Sequence, residues 1–146
     1  RALQTSLVGE RQNRVGQFAE FVPKMAAIFQ DNQANIINVS IRHALPDSGS
    51  YLAWAPEEVF AFVVYYRQGT DEKSKKGVAK WSREMIDAAL SVGGRYYLPY
   101  QLHASVEQFE KAYPRVNELR NVKRKYDPED RFTNLFLNKY VIKNDE

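Results

Sequence analysis

Apolar positions recur at helical spacing from Gly16 onward. Phe18, Phe21, Val22, Met25, Ile28 and Phe29 form one stripe, and Glu20 and Lys24 lie off it. Pro23 conflicts with a helix interior, because it lacks an N–H and clashes with the preceding turn. The spacing therefore predicts a helix that starts near Val22, with Pro23 in its first turn, and ends at Asp31-Asn32. Residues 1–15 show no sustained period and read as a loose leading segment. From Asn35 to Arg42 the chain alternates. Ile37, Val39 and Ile41 share an apolar face, while Asn38, Ser40 and Arg42 share a polar one, which predicts a strand. Pro46, Asp47, Ser48 and Gly49 mark a loop within residues 44–56. The β-branched and aromatic run Glu58 to Arg67 predicts a central strand covered on both faces.

A long helix follows from about Asp71 to Leu90, with Val78, Trp81, Met85, Ile86, Ala89 and Leu90 at helical spacing and Gly93-Gly94 as its stop. Arg95 to Leu102 is a short, extended, Pro-containing segment in which alternation separates Tyr97 from Tyr96, Leu98 and Tyr100. Ser105 with Gln108 is a capping-box pattern. Tyr113-Pro114 breaks that helix and restarts one through Tyr126, with Val116, Leu119 and Val122 inward. Asp127-Pro128 stops it, and Phe132, Leu135, Phe136 and Tyr140 form a last apolar segment. This order predicts an α+β domain: an antiparallel sheet covered by helices on one face, a ferredoxin-like layer. The other face stays free and carries Asn38, Ser40 and Arg42, either as a wetted surface or as a ligand-lining wall.

Composition narrows the function classes. Nineteen aromatic residues (2 Trp, 9 Tyr, 8 Phe) exclude a disordered chain. The apolar run from Val59 to Tyr66 is far too short to span a bilayer. The absence of Cys excludes disulfides and thiolate chemistry and fits a reducing compartment such as the cytoplasm. Two histidines, His43 and His103, leave a His-based metal site improbable. The formal charge of +3 is spread along the chain and gives no support for nucleic-acid binding. The chain begins at Arg1 without Met, signal core or transit-peptide character, and so reads as a fragment.

Candidate chemistry gathers in two places. Tyr96, Tyr97, Tyr100 and His103 follow Gly93-Gly94-Arg95 and present phenols and an imidazole that can donate hydrogen bonds or move protons; as plain sheet packing they would do neither. Arg42-His43 sits at a strand end, where an Arg can grip a carboxylate or phosphate through two donors, or simply lie on the surface. The basic stretch Arg115, Arg120, Lys123, Arg124 and Lys125 is interleaved with acids and reads as a solvated helix face. Gly-rich dinucleotide and phosphate loops, GxSxG and HExxH are absent from the sequence.

The run from Ile86 to Asn134 resembles the carboxyl end of FAD-linked oxidoreductases of the vanillyl-alcohol oxidase type. The sugar-lactone oxidases and decaprenylphosphoryl-ribose oxidase are the most similar. The resemblance rests on the helix ending in Gly93-Gly94-Arg95, the aromatic strand after it, Ala112-Tyr113-Pro114, and Tyr126-Asp127-Pro128 with Phe132 and Asn134. It extends over about residues 16–140. It implies residues 16–104 as strands and helices of a substrate or cap domain, and residues 105–146 as a C-terminal helical segment returning toward an FAD-binding domain elsewhere in the parent protein. It also implies FAD as cofactor and a small polar organic substrate, a sugar, polyol or lactone-like alcohol oxidised by hydride transfer. By position it assigns Tyr97, Tyr100 and His103 to the reacting centre, Asn38, Ser40 and Arg42 to the substrate side, and Asn134 to cofactor contact. The chain departs from the pattern after Gly-Gly-Arg. Where lactone oxidases carry Pro-His-Trp and then Lys, it reads Tyr-Tyr-Leu-Pro-Tyr, with Tyr100 at the Lys position.

Two rivals remain from the residues alone. One is a non-catalytic α+β domain that binds a ligand or protein through the same face. The other is an RNA-binding domain that uses Phe60, Phe62 and Tyr66 on an open sheet.

Overall fold

Seven residues expected to be loose form a strand inside the sheet. The computed structural model describes residues 1–8 and 11–142. Strands β1 (Ala2–Val8), β2 (Ile36–Ala44), β3 (Val59–Tyr66) and β4 (Arg95–Tyr96) stand in the order β2-β3-β1-β4. Every neighbouring pair is antiparallel. Helix α1 (Arg11–Asp31) links β1 to β2, and α2 (Glu72–Ser91) links β3 to β4. The result is the β-α-β-β-α-β, ferredoxin-like arrangement, extended by α3 (Val106–Ala112), α4 (Val116–Tyr126) and α5 (Leu135–Tyr140).

The strand register sorts the side chains, since directly opposite residues share a face. Leu3, Thr5 and Leu7 stand opposite Val64, Phe62 and Phe60, and Val39, Ile41 and His43 continue that row on β2. This face carries the first core. Leu3, Leu7, Phe62 and Tyr66 pack under Phe21 and Met25 of α1 and Val78, Trp81 and Met85 of α2. With Phe62 and Tyr66 buried, the surface the RNA-binding reading needs does not exist. The apolar side of β2 is less buried than expected. Val39 is partly covered, but Ile37 is 66% and Ile41 50% exposed. The pairing is irregular between Ile36 and Asn38, and β2 is an edge strand that the helices reach only at its Ile36–Val39 end.

Helix α1 starts well before Val22 and keeps Pro23 inside it. Proline removes only its own N–H, and Pro23 lies on the exposed side, where water can satisfy the freed carbonyl.

A second, largely aromatic core joins the C-terminal helices to the β4 end of the sheet. Ile86, Tyr96, Phe109, Tyr113, Val116 and Tyr140 are buried together, with the Phe109 and Tyr140 rings stacked at 4.6 Å. Tyr113 donates its hydroxyl to the Tyr96 carbonyl, and the Tyr140 hydroxyl reaches the Ala104 carbonyl at 2.8 Å. Arg120, expected on a solvated face, is buried against Glu110 and the Tyr140 carbonyl, each at 2.7 Å. Tyr126, Phe132 and Leu135, in contrast, stand exposed at 74, 79 and 78%. Among the described residues no helix is long and apolar enough to cross a membrane.

Candidate functional site

The second face of the sheet carries Gln4 and Ser6 of β1, Ala61, Val63 and Tyr65 of β3, and Asn38, Ser40 and Arg42 of β2. It is not free across its width. The 45–58 loop lies over its β1–β4 side, where the Ser6 hydroxyl donates to the Trp54 carbonyl at 3.1 Å. Arg95 donates to the Ala53 carbonyl at 2.6 Å. Ala53 and Ala55 of this loop and Ala61 and Val63 of β3 are buried where the two layers meet. Left accessible is a strip along β2 with Asn38, Arg42 and Tyr65 exposed.

Tyr97 and Tyr100 form the other wall of that strip. The Tyr97 amide donates to the Gln4 carbonyl at 2.9 Å, which fixes it beside β1. Its ring meets Trp54 at 5.4 Å between centroids. Alternation places Tyr100 opposite to Tyr97, but the chain turns at Leu98-Pro99 and brings the two rings within 5.5 Å. Burial pushes the Tyr100 phenol above its ordinary pKa, and Tyr65 and Tyr97 push in the same direction; only the Arg42 charge acts against them. Tyr100 is thus a neutral hydroxyl at physiological pH, able to donate or accept a hydrogen bond but a poor base. Arg42, Tyr97 and Tyr100 therefore share one neighbourhood, and Tyr65 joins them. The sequence reading missed Tyr65 and singled out its neighbour Tyr66. Its signal was the period of β3, which puts Tyr65 alone toward the strip.

Ser40 completes the β2 side of the strip, two residues from Arg42. Its hydroxyl oxygen is buried and has no hydrogen-bond partner among the described residues.

Asn134 and His103 lie elsewhere. Asn134 caps α5, its side-chain oxygen accepting from the Leu137 amide at 2.9 Å. It also lines a groove of about 320 Å³ with Leu98, Pro99, Tyr100, Leu102 and Phe136, so it reaches the outer side of Tyr100. His103 contacts the Gln101 side-chain oxygen. Burial holds its pKa below the ordinary value, and the charges of Arg83 and Lys139 act in the same direction. Its ring bonds to Gln101 and its carbonyl accepts from Arg83 of α2 at 3.5 Å, and neither contact reaches the phenols. His43 points to the helix side, bonded to Glu58 and 6.0 Å from the Phe60 ring.

The motif residues around this site have structural causes. Gly93 has φ +73°, a left-handed conformation that ends α2 without penalty only as glycine. At Gly94 a Cβ would press into the Ser6 carbonyl oxygen and lie 2.9 Å from that of Ala89, so the end of α2 can approach β1 only through glycine. Asp127 accepts from the Arg131 and Phe132 amides, each at 2.9 Å, and pairs with Lys123, which orders the turn that carries Phe132.

No curated protein sequence matches the chain. A family model described as D-arabinono-1,4-lactone oxidase matches residues 20–142. That span contains β2 to α5 and every candidate site residue, and it extends over most of the 146 residues. The chain belongs to the D-arabinono-1,4-lactone oxidase family.

Proposed function

We propose that this chain forms the substrate side of an FAD-dependent oxidoreductase that oxidises an alcohol of a sugar, polyol or lactone-like compound. The family consists of FAD-dependent oxidases. The observation that carries the reading is the meeting of Arg42, Tyr97 and Tyr100 on the uncovered strip of the sheet's second face.

The fit to a flavin is partial. The described residues offer no Gly-rich cradle for a pyrophosphate, so another domain of the same protein would hold the phosphates. What fits the ring end is the groove shared by Tyr100 and Asn134, open at the outer side of the phenol wall. FAD, when bound, supplies the acceptor for the hydride that leaves the alcohol carbon.

The chain's residues would then divide the remaining work. Tyr97 and Tyr100 hydrogen-bond the reacting hydroxyl and orient its carbon. Asn38, Ser40 and Arg42 hold the rest of the substrate along β2. Burial disfavours the charged form of His103. Because the Gln101 oxygen can only accept, His103 Nε2 carries the proton and Nδ1 is left with a lone pair. That lone pair is not turned to the phenols by any contact of His103 among the described residues, so the hydroxyl proton lost as the alcohol becomes a carbonyl would leave to water along the open strip.

Two measurements test this. The full-length protein should show flavin absorption bands, and an alcohol substrate should bleach them in the absence of oxygen. Replacing Tyr100 by Phe should slow that bleaching roughly two- to thirteenfold, the worth of one neutral hydrogen bond of about 0.5–1.5 kcal/mol. A full-length protein without flavin bands, or unchanged bleaching in Tyr100→Phe, would overturn the assignment.

A further inference from the structure

We propose that Trp54 is a positioning residue for the two phenols: it holds the Tyr97 ring, and through that ring it sets where Tyr100 stands. The inference rests on the alcohol-oxidase reading above and adds to it a residue from outside the strands that form the strip.

The 45–58 loop that carries Trp54 is fastened at three consecutive carbonyls. Ala53 accepts from the Arg95 guanidinium at 2.6 Å, Trp54 from the Ser6 hydroxyl at 3.1 Å, and Ala55 from the Asp47 amide at 2.7 Å. Ala53 and Ala55, on either side of Trp54, are buried. A further tie comes from the start of α4, where Arg115 donates to the Ser50 carbonyl at 3.4 Å and lies 5.0 Å from the Tyr51 ring. Loops are mobile where few contacts hold their backbone. This one is held to β1, β4, α4 and itself, and the indole it presents is half-buried against the second core.

Trp54 and Tyr97 hang from the same strand. Ser6 holds the Trp54 carbonyl, and the Gln4 carbonyl accepts the Tyr97 amide at 2.9 Å, two positions away on β1 or about 7 Å along it. The two rings meet edge to face at 5.4 Å and 76°, a geometry that aromatic pairs favour. Tyr97 meets Tyr100 in the same way, at 5.5 Å and 69°. No ring contact joins Trp54 to Tyr100 among the described residues, so the indole reaches Tyr100 through Tyr97. Neither phenol hydroxyl makes a hydrogen bond among the described residues. Packing therefore places these rings, and their hydroxyls stay available to a substrate. Without the indole, the Tyr97 side chain gains room to rotate and Tyr100 loses the edge it rests on. The phenols then meet the reacting hydroxyl out of line, which slows the chemical step more than it weakens binding.

The test uses the full-length protein carrying carbon-13 at the hydroxyl-bearing carbon of tyrosine, with the two signals assigned from Tyr97→Phe and Tyr100→Phe. Trp54→Leu is expected to move both signals in the magnetic resonance spectrum. Trp54→Phe, which keeps a ring, should return them toward wild type. In a Tyr97→Leu background, Trp54→Leu should leave the Tyr100 signal where it is, because the two residues act as a unit. With D-glucitol as the alcohol and oxygen excluded, Trp54→Leu should slow flavin bleaching at saturation by roughly two- to thirteenfold, as Tyr100→Phe does. The half-saturating concentration should change by less than about twofold. An unmoved Tyr100 signal in Trp54→Leu, a shift that persists in full without the Tyr97 ring, or no recovery in Trp54→Phe would overturn the proposal. So would a raised half-saturating concentration at an unchanged maximal rate, which would make Trp54 a substrate contact. The alcohol-oxidase reading fails separately. If the Tyr100 signal responds as expected while Tyr100→Phe leaves bleaching unchanged, the ring arrangement stands and only its use in alcohol oxidation is lost.

Discussion

Two glycines show how differently one residue type can act in this chain. Gly94 is pressed between the Ser6 and Ala89 carbonyls, whereas at Gly77 a Cβ would meet nothing within 4 Å. Gly94→Ala is therefore expected to cost about 3 kcal/mol or more, because backbone would have to move. Gly77→Ala should instead stabilise α2 by roughly 0.5–1 kcal/mol, the difference in helix propensity. Urea denaturation of the two variants checks both signs. His103 provides a pH signature. Its folded pKa lies below the ordinary value of about 6.5. The unfolded chain therefore binds the extra proton first as pH falls. Stability from this group is complete above about pH 6.5 and declines from there toward the lower folded pKa. Thermal unfolding of wild type and His103→Gln between about pH 5 and 8 should show the decline weakened in the variant.

Element by element, the sequence told where periodicity was strong and misled where a neighbour overrode it. Helix α2, the capping box at Ser105 and the covered strand β3 were legible, because their apolar spacing or cap chemistry is local. Strand β1 was not. Gln4, Thr5 and Ser6 are polar, and they are buried only because β3 and β4 flank them. On the apolar face of β2, Val39 and Ile41 were read correctly as a row, but the irregularity between Ile36 and Asn38 takes Ile37 out of it. A row on an edge strand is also buried only as far as the helices reach. Ile41→Thr should therefore change stability by no more than about 0.5 kcal/mol, while Phe62→Ala in the adjacent central strand should cost about 3–5 kcal/mol. Equal losses in the two variants would contradict the assignment of β2 to the edge. Of the candidate site, Arg42 and Tyr97 could be placed from alternation. The approach of Tyr100 to Tyr97 could not, because it depends on a turn at Pro99, and Tyr65 emerged only with the register of β3.

On the scale of the whole molecule, one helix serves both cores. Met85 and Ala89 of α2 belong to the core under the sheet, and Ile86 of the same helix belongs to the aromatic core of α3 to α5. Gln108 ties α3 to this helix by donating to the Arg83 carbonyl at 3.0 Å and to Asp87 at 2.7 Å. The two cores should therefore melt together. Met85→Ala and Ile86→Ala are each expected to cost about 2–5 kcal/mol and to shift one common transition. Far-ultraviolet circular dichroism and aromatic fluorescence should trace that transition identically. Two separated transitions would mean that α2 does not couple the cores.

The position of β1 also sets an order in time. Its partners are β3 and β4, and the pairing of Thr5 with Tyr96 spans most of the described chain. During synthesis, β2 and β3 can pair as soon as residue 66 has emerged. The sheet cannot close on its other side until β4 is made, and until then β1 has an unmatched edge. Pairings between such distant residues slow folding, since the loop-closure entropy is lost before the contacts repay it. The segment that reads as loose is thus made long before its last partner strand and is among the last to be fully enclosed.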